Sequence, residues 1–164
     1  MMALQKDIEY FLANASNEER EILSIMLDSL IQKRESTSST YISRLMDMTT
    51  QIMDDDSIEI SVPITPLLAN SLGIVHGGLT ATLLDTAMGT AANRHLELHQ
   101  AAVTSEMKIN FTSPGMGSKL TCKAKVLHRG KQMIVTEGKV FGDEGQLVAL
   151  ATGTFFVIHK KENE

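Results

Sequence analysis

The chain has 164 residues, of which 43% are hydrophobic and 21% are charged, and its formal net charge is −5. This length suits one domain with a single adequate core. The acidic balance provides no broad basic surface, so we expect no nucleic-acid partner. The five histidines are scattered and there is one cysteine, so the sequence offers no metal-ligand cluster and we expect no metal.

Cysteine content and hydropathy bear on the compartment in which the protein works. The lone Cys122 cannot form an internal disulfide, which favours a reducing compartment, and the alternating pattern around it indicates a packing role. No run of about 18 apolar residues is present, so we expect no membrane span. The N-terminal stretch lacks the apolar core and cleavage site of a signal peptide. We therefore expect a cytoplasmic protein without a membrane partner.

Residues 1–40 predict a helical extension that ends in a linker. Ser16 followed by Glu19 matches a capping box at the start of the second of two helices, along which apolar residues recur at helical spacing. The polar stretch 35–40 predicts the linker. We assign the extension no chemistry and expect the main domain over residues 41–164.

The main domain begins with residues 41–64, which predict two strands around the acidic turn at 54–56. Three aspartates in this turn could suggest calcium, but no EF-hand spacing follows them, so we favour a solvated turn. Later strands are predicted over residues 103–111, 120–126, 133–141 and 146–158 from their alternating pattern. In the first of these, the residues expected to share one face are Val103, Ser105, Met107, Ile109 and Phe111.

Between the early and late strands, residues 77–93 form a helical stretch that is apolar on most sides, so it should be buried on most sides. This order predicts an α+β domain, in which an antiparallel sheet curls around a long central helix. Asp85 is the one ionisable residue of the helix. It is either a structural carboxylate, bonded to Thr82, Thr86 or a hydroxyl on a facing strand, or a catalytic base or nucleophile in a pocket.

The start of this helix is a second candidate for chemistry. The first turn of a helix has free N–H groups, and no Ser, Thr, Asp or Asn directly precedes Gly77 to use them. Because Gly77 and Gly78 lack side chains, a ligand could approach the backbone closely and find an oxyanion hole. The alternative is that the two glycines only turn the chain into the helix.

These residues resemble the hotdog-fold acyl-CoA thioesterases of the PaaI type over about residues 41–158. The pattern that carries the resemblance is Asn70, His76, Gly77, Gly78, Asp85, the strand at 103–111, Ser113 and Pro114. The resemblance implies a hotdog fold and hydrolysis of an acyl-CoA or aryl-CoA thioester to a carboxylic acid and free CoA. It implies no cofactor, since the CoA thioester is the substrate.

The resemblance also implies a role for each residue of the motif. Asp85 would activate water or attack the carbonyl carbon, and the N–H of Gly77 or Gly78 would polarise the thioester oxygen. Asn70 and His76 would lie near the thioester and position it or the water. Thiolate is a good leaving group, so a site with one carboxylate and no second acid is chemically sensible.

Further residues follow from the same resemblance. Thr104 falls where some relatives carry a hydroxyl that holds the water, and a shift of one residue would give this role to Ser105. The remaining expected substrate contacts are Ser113, Pro114 and a basic turn formed by His128, Arg129, Gly130 and Lys131. The turn resembles the segment that meets CoA phosphates, and its alternative interpretation is an ordinary solvated hairpin turn.

Two other functions compete with hydrolysis on this fold. A non-catalytic acyl-CoA-binding protein would have no need of a buried Asp85. A hotdog dehydratase would need a histidine beside the acid in a different arrangement, which the sequence lacks. Gly-x-Ser-x-Gly is also absent, which argues against a serine hydrolase of the α/β type.

Helix geometry predicts that the site is shared by two chains. Gly78 and Asp85 are seven residues apart, which is about 10.5 Å along the helix axis. Both must lie about 3 Å from the reacting atoms, and one straight helix cannot easily supply both. Two such helices packed antiparallel about a two-fold axis can. The resemblance implies the same homodimer, with sheets joined edge to edge, and a homotetramer built as a dimer of dimers is the further alternative.

Overall fold

The structure, a computed structural model, describes residues 2–36 and 39–160. Two compact units divide between Asp47 and Met48. The linker predicted over 35–40 includes residues 37–38, which lie outside the described residues. In chain order the elements are α1 (Met2–Asn14), α2 (Asn17–Glu35), α3 (Tyr41–Leu45), β1 (Thr49–Ile52), β2 (Ile58–Pro63), a 3₁₀ turn (Pro66–Leu68), α4 (Gly77–Asn93), β3 (Gln100–Phe111), β4 (Lys119–Arg129), β5 (Met133–Phe141) and β6 (Leu147–His159).

The first unit is helical, and its two long helices confirm the prediction for this part of the chain. Ser16 caps α2: its hydroxyl accepts a hydrogen bond from the Glu19 N–H, and the Glu19 carboxylate accepts one from the Ser16 N–H. The predicted strand after residue 40 was wrong over its first half. Thr40 caps the short helix α3 by accepting a hydrogen bond from the Ser43 N–H, and β1 begins only at Thr49.

The six described strands of the second unit form one antiparallel sheet in the order β1–β2–β4–β5–β6–β3. Helix α4 packs against this sheet and contacts β2, β3, β4, β5 and β6. The predicted α+β architecture, an antiparallel sheet around a long central helix, is confirmed. Strands β1 and β3 are the two edges of the sheet, and β3 carries the residues that face the middle of α4.

Alternate residues of the sheet form the core against α4. Ile58, Ile60 and Val62 of β2 are buried, and Ile60 pairs with the buried Cys122 of β4. Burial raises the pKa of the Cys122 thiol to about 12, because desolvation disfavours the thiolate. Cys122 therefore packs in the core, as its position in an alternating stretch predicted.

Gly138 of β5 lies directly against α4. A Cβ atom there would stand 3.0 Å from Leu84 Cδ2 and 3.1 Å from Met88 Cγ, and both of those side chains are buried. Such distances are shorter than the optimal contact between carbon atoms, which is about 3.5–4.0 Å. The missing side chain at residue 138 therefore lets the helix approach the sheet closely.

The predicted alternation of β3 holds for Met107, Ile109 and Phe111 and was wrong for Val103 and Ser105. Thr104 pairs with Phe155 and Glu106 pairs with Thr154, so Ser105 is an extra residue that forms a β-bulge. One inserted residue reverses the face to which the side chains before it point. The bulge therefore turns Thr104 toward α4, whereas uninterrupted alternation would have placed Ser105 there.

The loop after β3 is tied to the loop after β5 through Asp143. Its carboxylate accepts a hydrogen bond from the Ser118 N–H, and this bond lowers the pKa of the Asp143 carboxyl. Gly117 lies beside the bond with a φ of +107°, and a Cβ atom there would fall 2.4 Å from Asp143 Oδ2. Glycine is therefore required at residue 117 by both backbone conformation and space.

We expect Gly117→Ala to lower the free energy of unfolding by roughly 1–3 kcal/mol, because alanine is strained at this φ and displaces the Asp143 carboxylate. Gly145→Ala is the matched control, since Gly145 also has a positive φ, +78°, but open space where Cβ would stand. Urea unfolding should give the larger loss for residue 117. Equal losses in the two variants would contradict a role for the contact with Asp143.

Candidate active site

Asp85 lies at the middle of α4 and is half-buried in a single chain. Its Oδ1 accepts a hydrogen bond of 2.7 Å from the Thr104 hydroxyl. No residue in the described part of the chain donates a hydrogen bond to the other oxygen, Oδ2. One oxygen is thus held by a hydroxyl on the facing strand, as the structural interpretation proposed, and the other is open to a ligand.

The carboxylate opens onto a cleft of about 750 Å³, which we call the Asp85 cleft. One wall is α4, and the others come from β3, the β1–β2 hairpin and β6. Apart from Asp85 and Thr104, its lining includes Ile52, Ile58, Gly89, Val103 and Phe155. Polar side chains also line it, among them Thr86 and Thr90 of α4 and Arg94 directly after the helix. A cleft with a mostly apolar surface and one oriented carboxylate is the arrangement expected of a small-molecule site.

A second cleft, of about 370 Å³, lies at the start of α4, and we call it the Gly77 cleft. It is lined by Asn70, Gly77, Thr80, Phe111, Ser113 and Pro114, among others. Four of these are residues that the sequence singled out. In a single chain the structure therefore brings Asn70, Gly77, Ser113 and Pro114 together, but it places them in a different cleft from Asp85 and Thr104.

The first turn of α4 differs from the prediction, because a side chain does cap it. His76 is the N-cap residue, and its Nδ1 accepts a hydrogen bond of 2.9 Å from the Gly78 N–H. An accepting Nδ1 assigns the ring proton to Nε2. The expectation that no side chain would use these N–H groups was wrong, since an imidazole nitrogen can serve where Ser or Asp usually does. The Gly78 N–H is thus occupied in this conformation.

The N–H of Gly77 differs from that of Gly78 because no side chain among the described residues caps it. No described residue accepts a hydrogen bond from the Gly77 N–H, which lies at the first position of α4 and in the Gly77 cleft. The glycine at residue 78 has a steric reason: a Cβ atom there would stand 3.1 Å from His76 Nδ1. Of the two candidate oxyanion donors, the geometry therefore favours Gly77.

Asn70 shapes the loop that leads to His76. Its Oδ1 accepts hydrogen bonds from the Leu72 N–H at 2.8 Å and the Ile74 N–H at 3.4 Å. Its side-chain NH₂ group has no acceptor within the described ranges. Asn70 therefore combines a structural acceptor with a donor that remains available at the Gly77 cleft.

The basic turn lies in line with Thr104 across the sheet. Arg129 pairs with Ile134, Ile134 with Phe155, and Phe155 with Thr104. Three strand spacings separate Arg129 from Thr104, which is about 14 Å. His128, Arg129 and Lys131 are exposed, and within residues 2–36 and 39–160 neither Arg129 nor Lys131 pairs with a carboxylate. Their charges are therefore free to meet an anion.

Sequence reasoning missed several residues near the clefts. Thr80 is buried at the Gly77 cleft, and its only signal was a hydroxyl on an otherwise apolar helix face. In the acidic turn, Asp56 pairs with His95 and Arg94, and these hydrogen bonds lower the pKa of its carboxyl. Arg94 also lines the Asp85 cleft. The contact between Asp56 and Arg94 joins residues 38 positions apart, so no local pattern could have predicted it.

No group of three or more His, Cys, Asp or Glu side chains in residues 2–36 and 39–160 is arranged to hold a metal ion. Among the helices in those same ranges, none combines the length and the apolar character that crossing a membrane requires.

Comparison with known proteins identifies the family. The model of the thioesterase superfamily matches residues 72–149. The acyl-coenzyme A thioesterase PaaI of Escherichia coli is 34% identical over 102 residues, which are 62% of this chain and 71% of PaaI. A protein of Saccharolobus solfataricus is 34% identical over 92 residues, which are 56% of this chain and 61% of that protein.

Solved structures agree with the sequence matches. The BH2602 protein of Bacillus halodurans, solved with CoA, is 48% identical with a TM-score of 0.87, and the match covers 92% of this chain and 100% of that one. The structure of E. coli PaaI is 25% identical in the structural alignment, with a TM-score of 0.69 and coverage of 84% and 98%. The chain therefore belongs to the thioesterase superfamily, and its second unit has the hotdog fold of the PaaI-type members.

We expect His76→Ala to destabilise the protein by about 1 kcal/mol, because the helix loses its N-cap acceptor. His76→Asn should recover most of this loss, since asparagine is among the best N-cap residues. Urea unfolding of the two variants beside the wild type measures the difference. If His76→Asn were as unstable as His76→Ala, the bond to the Gly78 N–H would not be what the histidine contributes.

Proposed function

We propose that this protein hydrolyses an acyl-CoA or aryl-CoA thioester to a carboxylic acid and free CoA. The observation that carries the proposal is the Asp85 carboxylate, oriented by Thr104 through one oxygen and open to an apolar cleft through the other. The similarity of this chain to PaaI and to a protein solved with CoA supports the same substrate class.

The chemistry follows from this arrangement. Asp85 either takes a proton from a water molecule that attacks the thioester carbonyl, or attacks the carbonyl carbon itself to give an anhydride that water then hydrolyses. Negative charge develops on the carbonyl oxygen, where an N–H donor stabilises it. In either route the C–S bond breaks when the tetrahedral intermediate collapses, which in the second route yields the anhydride, and the CoA thiolate leaves and takes up a proton. Thr104 keeps the carboxylate pointed toward the reacting centre.

We propose that the N–H donor comes from a second copy of the chain. Gly77 and Asp85 are eight residues apart on one continuous helix, about 12 Å along its axis, and they open into separate clefts. Strand β3 has one edge that no described strand covers. If two β3 edges pair antiparallel about a two-fold axis, the Phe111 end of one strand, which lies against Gly77, approaches the Thr104 end of the other.

The same proposal accounts for the other residues of the motif. Gly77 would supply the oxyanion donor, with Asn70 and His76 beside it and with Ser113 and Pro114 lining the pocket. The basic turn would meet the phosphates of CoA at some distance from the thioester. We expect the reaction to run in a reducing compartment, the cytoplasm, because a single cysteine cannot form a disulfide within the chain.

We expect Asp85→Asn to keep the fold and to lose about 10²-fold or more of the hydrolysis rate, since asparagine can still accept the Thr104 bond but cannot act as a base. A thiol-detecting reagent measures turnover over a panel of acyl-CoAs, with circular dichroism as the control for folding. Wild-type turnover in the variant would remove Asp85 from the mechanism. If the wild-type protein binds acyl-CoA but hydrolyses none of the panel, the non-catalytic binding protein is the correct alternative.

The double substitution Arg129→Ala and Lys131→Ala should raise KM for CoA thioesters and leave kcat within a few-fold. Exposed cations that face phosphates mostly stabilise the bound ground state. The matched comparison is a pantetheine thioester, which lacks the nucleotide and should respond much less. A rise in KM of the same size for both substrates would reject the phosphate contact.

Complementation tests the shared site. One variant carries Asp85→Asn, and the other carries Gly77→Pro, which removes the N–H at a helix position that tolerates proline. His76 already has the extended conformation that precedes proline, and a Cβ at residue 77 would meet the Phe111 ring at an ordinary 3.6 Å. Each variant alone should be weak.

After the two variants are unfolded and randomly remixed, about half of the dimers are mixed, and each has one intact site of two. About a quarter of the sites should therefore recover activity. Mass spectrometry of the remixed sample establishes that mixed dimers are present. If mixed dimers form and no activity returns, the catalytic groups belong to one chain.

A further inference from the structure

Asn93, the last residue of α4, is bonded to the edge strand β3. Its Oδ1 accepts a hydrogen bond of 2.8 Å from the Ala102 N–H, and its Nδ2 donates one of 3.1 Å to the Ala102 carbonyl. The same Nδ2 also donates to the Gly89 carbonyl at 2.8 Å, which fixes the side chain to its own helix. One amide side chain thus satisfies both backbone groups of one strand residue.

These backbone groups are the ones that face away from the sheet. Ala102 pairs with Val157 of β6, but the Val157 N–H donates to the Gln132 carbonyl instead. Ala102 and Val157 are therefore a non-hydrogen-bonded pair, and the N–H and C=O of Ala102 point to the open edge of β3. Asn93 takes the place that a neighbouring strand would otherwise occupy at this residue.

We propose that Asn93 sets the register in which two copies of this chain pair along β3, and so acts as a positioning residue for the shared site. This inference rests on the proposed function, in which the second chain supplies Gly77. An open strand edge is a general template for pairing, and the register of such a pair needs a specific determinant. Asn93 provides one because it blocks the edge at Ala102.

The blocked register is the one with the largest overlap. If all twelve residues of β3 paired with a second β3, Gln100 would lie opposite Phe111 and Ala102 opposite Ile109. Ala102 would then have to exchange its bonds to Asn93 for bonds to the partner strand. In that register the Phe111 end, with Gly77 behind it, lies about 13 Å beyond Thr104, four residues along the strand.

The register with the largest overlap that leaves Ala102 free is centred on Met107. Met107 then lies opposite its own copy, and Glu106 lies opposite Lys108 with complementary charge. The bulge at Ser105 interrupts the pairing before it reaches Ala102, so the Asn93 bonds are kept. The Phe111 end of one chain now lies beside Thr104 of the other, which brings Gly77 of one chain to Asp85 of the other.

Disulfide trapping between chains distinguishes the two registers. Chains with Glu106→Cys and Lys108→Cys should form covalent dimers only in the Met107-centred register. Chains with Val103→Cys and Lys108→Cys should form them only in the register of full overlap. Cys122 is buried with its pKa raised to about 12, so it does not compete. Oxidised samples are compared by non-reducing electrophoresis, and no activity measurement is needed.

We call the chain with Glu106→Cys and Lys108→Cys the 106/108 chain, and the one with Val103→Cys and Lys108→Cys the 103/108 chain. With Asn93 present, we expect covalent dimers from the 106/108 chain and not from the 103/108 chain. Asn93→Ala should reverse this, with a several-fold gain of covalent dimer for the 103/108 chain. Asn93→Asp is a second variant of the same size, which keeps the acceptor and loses the donor, so it should shift the pattern in the same direction. Thr90→Ala is the matched control, because that hydroxyl bonds only to the Thr86 carbonyl within α4.

Two outcomes would overturn the inference, and only the second of them also contradicts the shared site of the proposed function. If both Asn93 variants keep the wild-type pattern, Asn93 does not set the register, and the shared site is unaffected. If neither chain forms covalent dimers with Asn93 present, the edge-to-edge dimer itself is wrong, and the inference falls together with that part of the proposed function.

Discussion

Helix α4 packs closely against the sheet because Gly138 presents no side chain beneath Leu84 and Met88. This packing buries one side of a 17-residue helix and leaves Asp85 half-buried on the other. The helix is held at both ends by side chains, His76 at the first turn and Asn93 at the last. The position of each candidate group therefore follows from one rigid element rather than from a loop.

A rigid helix also imposes the main constraint on the chemistry. Asp85 cannot approach the Gly77 N–H on its own chain, since a continuous helix keeps them about 12 Å apart. The two clefts of the single chain reflect this separation, with the carboxylate in one and the free N–H in the other. In the proposed dimer this separation is overcome by symmetry, because an antiparallel copy would present the start of its helix at the middle of the first.

Hydrogen bonds made within the chain decide which groups are left for a substrate. The Gly78 N–H donates to His76 Nδ1, whereas the Gly77 N–H has no acceptor among the described residues. Asp85 Oδ1 accepts a hydrogen bond from the Thr104 hydroxyl, and Oδ2 has no donor among the described residues. Asn70 Oδ1 accepts a hydrogen bond from the Leu72 N–H in its own loop, and its NH₂ group has no acceptor among the described residues. In each case the structural bond orients the group that is left.

The sequence by itself determined the architecture and the motif. Hydrophobic periodicity identified α4 and most of the strands, and spacing identified Asp85 and the helix start, because both depend on residues that are close in the chain. Only the tertiary structure decided that Thr104 rather than Ser105 meets Asp85, since a bulge depends on pairing with β6. It likewise decided that His76 occupies the Gly78 N–H and that Asn93 closes part of the β3 edge. Side-chain bonds and strand register depend on what the folded chain brings together, and local sequence carries no record of them.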